Sequence, residues 1–221
     1  MIYNQQKIMV VISPHPDDET LCCGGVIAAA IERNHQVLVF IMTDGRYSHS
    51  YELGITSNPS PHELALIRKQ EATDALRVLG VNDRNIYFLE FIDRTLHRNM
   101  KKAIQILSMN LRGRSKHIYN FFYPHRQDNH PDHLSSSIIA ESVIIKLRIN
   151  AHFFKYVVWA GNNNQFEGKI SIPINKYLIP KQQALAKYQS QLYPPVGSSR
   201  SVLNSNMINW FTRTPDEFFY K

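Results

Sequence analysis

The sequence predicts an α/β protein, a three-layer αβα, Rossmann-like sandwich with a mostly parallel central sheet. Two observations predict it. Apolar, β-rich runs recur at Ile8 to Ile12, Val37 to Met42, Asn85 to Leu89, Ile118 to Tyr123 and Phe153 to Trp159. Helical patterns fill the intervals, at about 21–33, 62–79, 96–112 and 131–148. Strands alternating with helices of that length pair in parallel, and the helices cover both faces of the sheet.

The first run, Ile8-Met9-Val10-Val11-Ile12, has no polar alternation, as a strand buried on both faces requires. The helix after it holds Cys22 and Cys23, adjacent residues that make no useful disulfide and read as packing at a helix start. Gly24-Gly25 lacks phosphate-loop spacing and reads as a close helix-to-strand approach. Past Trp159 the rhythm loosens. Gly161 to Gln165 is a polar loop, Lys169 to Ile174 a short strand and Lys181 to Gln191 a helix. With no internal repeat, residues 1–221 read as one domain, a core of about 7–160 and a C-terminal elaboration of about 161–221.

The composition, 43% hydrophobic and 19% charged over 221 residues, is that of a soluble globular protein. No apolar run approaches the ~18–20 residues of a membrane span, and the N-terminus lacks a signal-peptide layout, so a cytoplasmic location is expected. The net charge of +7 is uneven: residues 1–75 carry 5 Lys/Arg against 9 Asp/Glu, and residues 76–150 carry 12 against 6. Clusters such as Arg94, Arg98, Lys101 and Lys102 suit an anionic partner or simply solvate helix faces. No nucleic-acid motif accompanies them.

In open parallel sheets, ligands sit beyond the carboxyl ends of the strands. Two post-strand segments stand apart there: His15-Pro16-Asp17-Asp18 and His130-Pro131-Asp132-His133. Proline favours the first helical position, which would set His15 and Asp18, and likewise His130 and His133, three apart across a helical turn. Two adjacent carboxylates repel, and burying them costs several kcal/mol unless a positive charge compensates. Histidine nitrogens with a carboxylate oxygen suit Zn2+ or another divalent cation such as Fe2+, and such an ion supplies that charge. A single His-Pro-Asp reads as helix capping; two copies at equivalent places point to a metal site. Four ligands would close the site and three would leave a position for water. His125 is a reserve ligand, and His35, His49, His62, His97, His117 and His152 are assigned to the surface.

These residues resemble the PIG-L or LmbE-like family of zinc-dependent N-acetylglucosaminyl deacetylases. The resemblance extends to Thr43-Asp44-Gly45, to Arg68 through Glu71 with Leu79-Gly80-Val81, to Asp128-x-His130-Pro131-Asp132-His133 and to Tyr188-x-Ser190-Gln191. Pro14 stands where alanine is common, and Lys69 replaces a second arginine. The resemblance implies that His15, Asp18 and His133 hold the metal, that Asp17 is the general base, that His130 is the electrophilic or acidic partner, and that Asp132 orients His130. Protonated His130 would then stabilise the oxyanion. Arg68 and Asp128 are candidate substrate contacts.

The expected activity is hydrolysis of the N-acetyl group of an N-acetylglucosamine unit in a small glycoconjugate, anionic or lipid-linked aglycones included. The family acts on several such conjugates, and loops such as Ser48 to Pro61 and Gly161 to Gly168 would choose among them. A phosphoesterase would use similar ligands but more often two metals. A non-enzymatic anion-binding module would leave both His-Pro-Asp segments unexplained.

Overall fold

The computed structural model describes residues 7–160 and 166–221. Strand β1 (Ile8–Ser13) is buried at all six positions, as its unbroken apolar run demands. Helix α1 (Asp18–Glu32) and strand β2 (Gln36–Thr43) follow, then a short helix α2 (Ser48–Leu53) and helix α3 (Pro61–Val78). Ser60 and Glu63 form a reciprocal capping box on α3, with Pro61 in its first turn. Strand β3 (Ile86–Phe91), helix α4 (Met100–Leu111), strand β4 (Ile118–Pro124), helix α5 (Pro131–Leu147) and strand β5 (His152–Tyr156) complete the core.

The five strands lie in the order β3-β2-β1-β4-β5, all parallel. Side chains alternate across β1: Met9 and Val11 enter the apolar cluster beneath α1 and α3, while Val10 and Ile12 enter the one beneath α4 and α5. The chain winds outward from β1 through β2 to β3, then returns to place β4 on the other side of β1. The carboxyl ends of β1 and β4 therefore meet at the switch point of the sheet.

Beyond residue 166, β6 (Ile170–Pro173) pairs antiparallel with β7 (Asp216–Phe219), and α6 (Leu178–Leu185), α7 (Gln189–Leu192) and α8 (Ser205–Arg213) lie between them. This segment is tied together by a buried ion pair, Lys181 Nζ to Glu217 Oε1 at 2.8 Å. Glu217 also accepts the backbone N–H groups of Gly25 and Val26 on α1, at 2.7 and 2.9 Å. Gly25 is required there, because a Cβ would lie 2.5 Å from Ile174 Cγ2. The Gly-Gly step thus accommodates the C-terminal segment and not a core strand.

Other sequence expectations are also corrected. Helix α1 starts at Asp18, so Pro16 precedes the helix, whereas Pro131 does open α5. The segment at 181–191 is divided between α6 and α7, and the helix expected from 96 opens with a 3-10 turn at Leu96–Asn99. The loop expected at Gly161 to Gln165 lies outside the described residues. The expected loop after Ser48 carries α2.

Candidate active site

His15 lies in the turn after β1 and Asp18 opens α1, while His130 caps α5 after β4 and His133 lies in its first turn, so the switch point brings both His-Pro-Asp segments together. Asp18 Oδ2 lies 3.1 Å from His15 Nδ1 and 3.2 Å from His133 Nε2, and those two nitrogens are 3.3 Å apart. This is a nearly equilateral triangle of donor atoms. Tetrahedral coordination with bonds of ~2.0–2.1 Å puts neighbouring donors roughly 3.3–3.4 Å apart, so the three atoms fit three corners of such a site. Ring nitrogens of His15, His130 and His133 also lie within 4.8 Å of one another.

The outer nitrogens of two of these histidines are held by carboxylates. His133 Nδ1 is 2.7 Å from Asp128 Oδ2, and Asp128 also accepts the backbone N–H groups of Val158, Trp159 and Ala160. His15 Nε2 is 3.3 Å from Asp132 Oδ2, and Asp132 further accepts the N–H groups of Arg94 and Leu96. Each carboxylate holds its imidazole in the tautomer whose other nitrogen faces the cluster. Two residues given other parts by the sequence reading are placed here. Asp128, expected as a substrate contact, is 1% exposed and bound to His133. The Asp132 carboxylate is engaged with His15 and two backbone groups, not with orienting His130.

His130 caps α5, and its Nδ1 accepts the N–H of Asp132 at 3.2 Å. A lone pair used at Nδ1 puts the proton of the neutral ring on Nε2. Burial, reinforced by the neighbouring imidazoles of His15 and His133, pushes its pKa down to about 3. These surroundings disfavour the charged form of His130, for which the sequence reading expected a protonated role.

The electrostatics of the cluster call for a cation. Burial alone would disfavour a charged His15, yet hydrogen bonds to Asp132 and Asp18 push it up to about 10. Burial acts likewise on His133, and the Asp18 charge and Asp128 raise it to about 9. Asp18 is held well below the usual carboxylate range by His133 and His15, against the effect of burial. The potential that would hold protons on two imidazoles suits a divalent ion equally well.

Asp17 is the strained residue of the site. Its φ of 140° lies where a non-glycine residue costs on the order of 1–3 kcal/mol, so the surroundings must impose it. Glu19 Oε2 accepts the Asp17 N–H at 3.2 Å, and the Asp17 carbonyl accepts the N–H groups of Thr20 and Leu21. Glu19 is fixed in turn by Ser13, Thr20 and the Tyr188 hydroxyl. Arg68 Nη2 donates to the Pro16 carbonyl at 2.6 Å and to Asp17 Oδ2 at 3.1 Å. Burial pushes Asp17 up to about 8, with Arg68 opposing and Asp18 adding to the rise. Arg68, expected from sequence as a substrate contact, is 3% exposed and braces Asp17. Gly45, at φ 69°, lets the guanidinium pass, since a Cβ would lie 2.2 Å from Arg68 Nη1.

A cavity of about 40 Å³ opens over the cluster, walled by His15, Asp17, His130, Tyr51, Trp159 and Gln191. Arg94, which also faces it, is paired with Glu52 at 3.2 Å. A larger cavity of about 250 Å³, lined by Lys181, Trp210 and Glu217, contains none of the cluster residues. His125 packs against Phe166 and Tyr220, away from the site. His49 is 2% exposed with Nε2 2.8 Å from the Ser190 carbonyl, so its surface assignment is corrected. Sequence reading missed Glu19, whose only signal was an acid beside two others, and Trp159, which had none.

A strained carboxylate and convergent nitrogen and oxygen donors at the switch point of a Rossmann-like sheet are the equipment of an enzyme that hydrolyses a small molecule. The chain belongs to the PIG-L family: the model described as GlcNAc-PI de-N-acetylase matches residues 10–144. A probable N-acetyl-alpha-D-glucosaminyl L-malate deacetylase 2 of Bacillus anthracis is 24% identical over 96% of this chain and 94% of its own. The diacetylchitobiose deacetylase of Thermococcus kodakarensis is 31% identical over 59% of this chain and 46% of its own. Among solved structures, the N,N'-diacetylchitobiose deacetylase of Pyrococcus horikoshii superposes with a TM-score of 0.65, at 25% identity over 85% of this chain and 71% of its own. The protein is an N-deacetylase built on this family's α/β fold. No helix among the described residues is long and apolar enough to cross a membrane.

Proposed function

We propose that the protein removes the N-acetyl group from an N-acetylglucosamine unit of a small glycoconjugate, with a divalent cation, zinc foremost, held by His15, Asp18 and His133. The observation that carries the reading is the triangle of donor atoms with edges of 3.1, 3.2 and 3.3 Å, each imidazole backed by a carboxylate. Asp18 is preferred over His130 as third ligand because it brings charge and the shorter distances, while Nδ1 of His130 is already engaged. Such a cation supplies Lewis-acid polarisation and an acidified water.

The chain's own residues supply the rest. Asp17, given a raised proton affinity by burial and braced by Arg68, takes a proton from the attacking water in its ionised form. The Nε2–H of neutral His130 donates to the acetamide oxygen as negative charge develops there. Asp17 then returns its proton to the nitrogen as the C–N bond breaks, leaving acetate and a free amine. Asp132 and Asp128 keep His15 and His133 oriented throughout.

Purified protein loaded with zinc is expected to release acetate from an N-acetylglucosamine conjugate and to stop on chelation. Phosphate release with two bound metal equivalents and no acetate would instead establish the phosphoesterase. Against that outcome, the described residues form one His-containing donor cluster.

A further inference from the structure

Two stretches of the sequence resemblance, Glu71 and Tyr188-x-Ser190-Gln191, carry no step of this mechanism. The structure joins them. Glu71, one turn beyond Arg68 on α3, accepts the Ser190 N–H at 2.7 Å and the Ser190 hydroxyl at 2.6 Å. A serine hydroxyl has one proton to give, and here it goes to Glu71, so toward Gln191 the Ser190 oxygen only accepts. Gln191 Nε2 donates to it at 2.9 Å. That chain fixes the orientation of the amide and leaves Oε1 as an acceptor held by rigid neighbours.

Gln191 is fully buried, lines the cavity over the cluster, and among the described residues has no hydrogen-bond partner at Oε1. An unpaired buried acceptor costs ~1–3 kcal/mol, so one kept at a cavity wall points to a donor on a ligand. Two more walls of the same cavity repeat the pattern. Ser48 Oγ on α2 and Trp159 Nε1 after β5 are buried and have no partner among the described residues. The three atoms are an acceptor, a hydroxyl able to do both, and a donor, with apolar Leu21 and Leu203 among them.

We propose that Gln191, with Ser48 and Trp159, recognises the ring hydroxyl groups of the amino sugar, Gln191 Oε1 accepting from one of them. These residues thereby determine which sugar presents its acetamide to Asp17. Mixed donors and acceptors suit hydroxyls, which both give and accept a proton, whereas a carboxylate or phosphate would be repelled by the Gln191 carbonyl. The assignment rests on the deacetylase reading above.

The test compares wild type with Gln191→Leu on an N-acetylglucosamine conjugate and on its 3-, 4- and 6-deoxy analogues. Loss of one hydrogen bond is expected to raise KM about tenfold with kcat changed by less than about threefold, and to have no effect on the one analogue that lacks the recognised hydroxyl. A KM within about twofold of wild type, or an equal rise on the parent and on every analogue, overturns the assignment. If Gln191→Leu does not fold, Ser48→Ala is read in the same way. Wild type that releases no acetate overturns the deacetylase reading; calorimetry with glucosamine then decides the contact separately. Binding weakened by Gln191→Leu supports it, and binding absent from wild type or unchanged in the variant overturns it.

Discussion

Nε2 of His15 lies 3.3 Å from Oδ2 of Asp132, across 117 positions of chain. The carboxylate of the second His-Pro-Asp segment thus buttresses the histidine of the first. Removing such a partner typically costs 10–100-fold in metal affinity. Asp132→Ala is accordingly expected to lose zinc to a competing chelator at about 10–100-fold lower chelator concentration. Wild-type metal affinity together with lost turnover would return Asp132 to orienting His130.

Asp17→Asn keeps the shape of the residue and removes the proposed base. Acetate release is expected to fall about 10²–10⁴-fold while zinc content, measured by atomic absorption, stays at the wild-type level. Full turnover in this variant would show that another group takes the proton from water.

Metal removal has a pH signature. Without the ion, His15 and His133 are raised to about 10 and about 9 from 6.5. A histidine raised in the folded state contributes stability fully below its unfolded pKa, and that contribution is lost as pH climbs through the folded value. The melting temperature of chelated protein is therefore expected to fall by several degrees between about pH 7 and pH 10. Zinc-loaded protein should vary less over that window, because the ion replaces the protons. A flat profile for the chelated protein in scanning calorimetry would contradict the charge demand of the cluster.

Arg68 serves the carbonyls of Gly45 and Pro16 and the Asp17 carboxylate with one forked group. A lysine ammonium is a compact point charge without that fork. Arg68→Lys is expected to lower kcat/KM about tenfold or more, and Gly45→Ala, which crowds the guanidinium, to act in the same direction. Steady-state kinetics unchanged in both variants would remove Arg68 from the support of Asp17.

The Lys181–Glu217 pair is a structural clasp. Deleting one partner of a buried ion pair costs about 3–5 kcal/mol, so Lys181→Met should melt far below wild type. The double variant with Glu217→Gln should recover part of that loss, which a double-mutant cycle in denaturant measures. Strictly additive losses would mean that the two charges do not support each other.

The sequence made the core legible where one physical rule dominated. Unalternating apolar runs marked β1 and β2, and paired His-Pro-Asp turns marked the two segments that meet. What it hid depends on which groups face each other in space. Asp132 and Asp128 each lie within a few residues of His130 and His133, and spacing cannot say which imidazole a carboxylate reaches. Glu217 sits in a short Asp-Glu-Phe-Phe strand that looks solvent-facing, yet it is 3% exposed because Lys181 and two helix N–H groups meet it. His49 likewise reads as a surface residue until the Ser190 carbonyl closes over it.

The placement of β4 beside β1 also orders events during synthesis. His15 and His133 are separated by 118 positions, and at ~5–20 residues per second the ribosome needs roughly 6–24 s to pass from one to the other. Through that interval the nascent acidic turn has no counterpart, and no ion can be gripped from both sides. On the proposed ligand set, metal capture would report that the fourth strand has arrived, which would make loading a late event in the life of the chain.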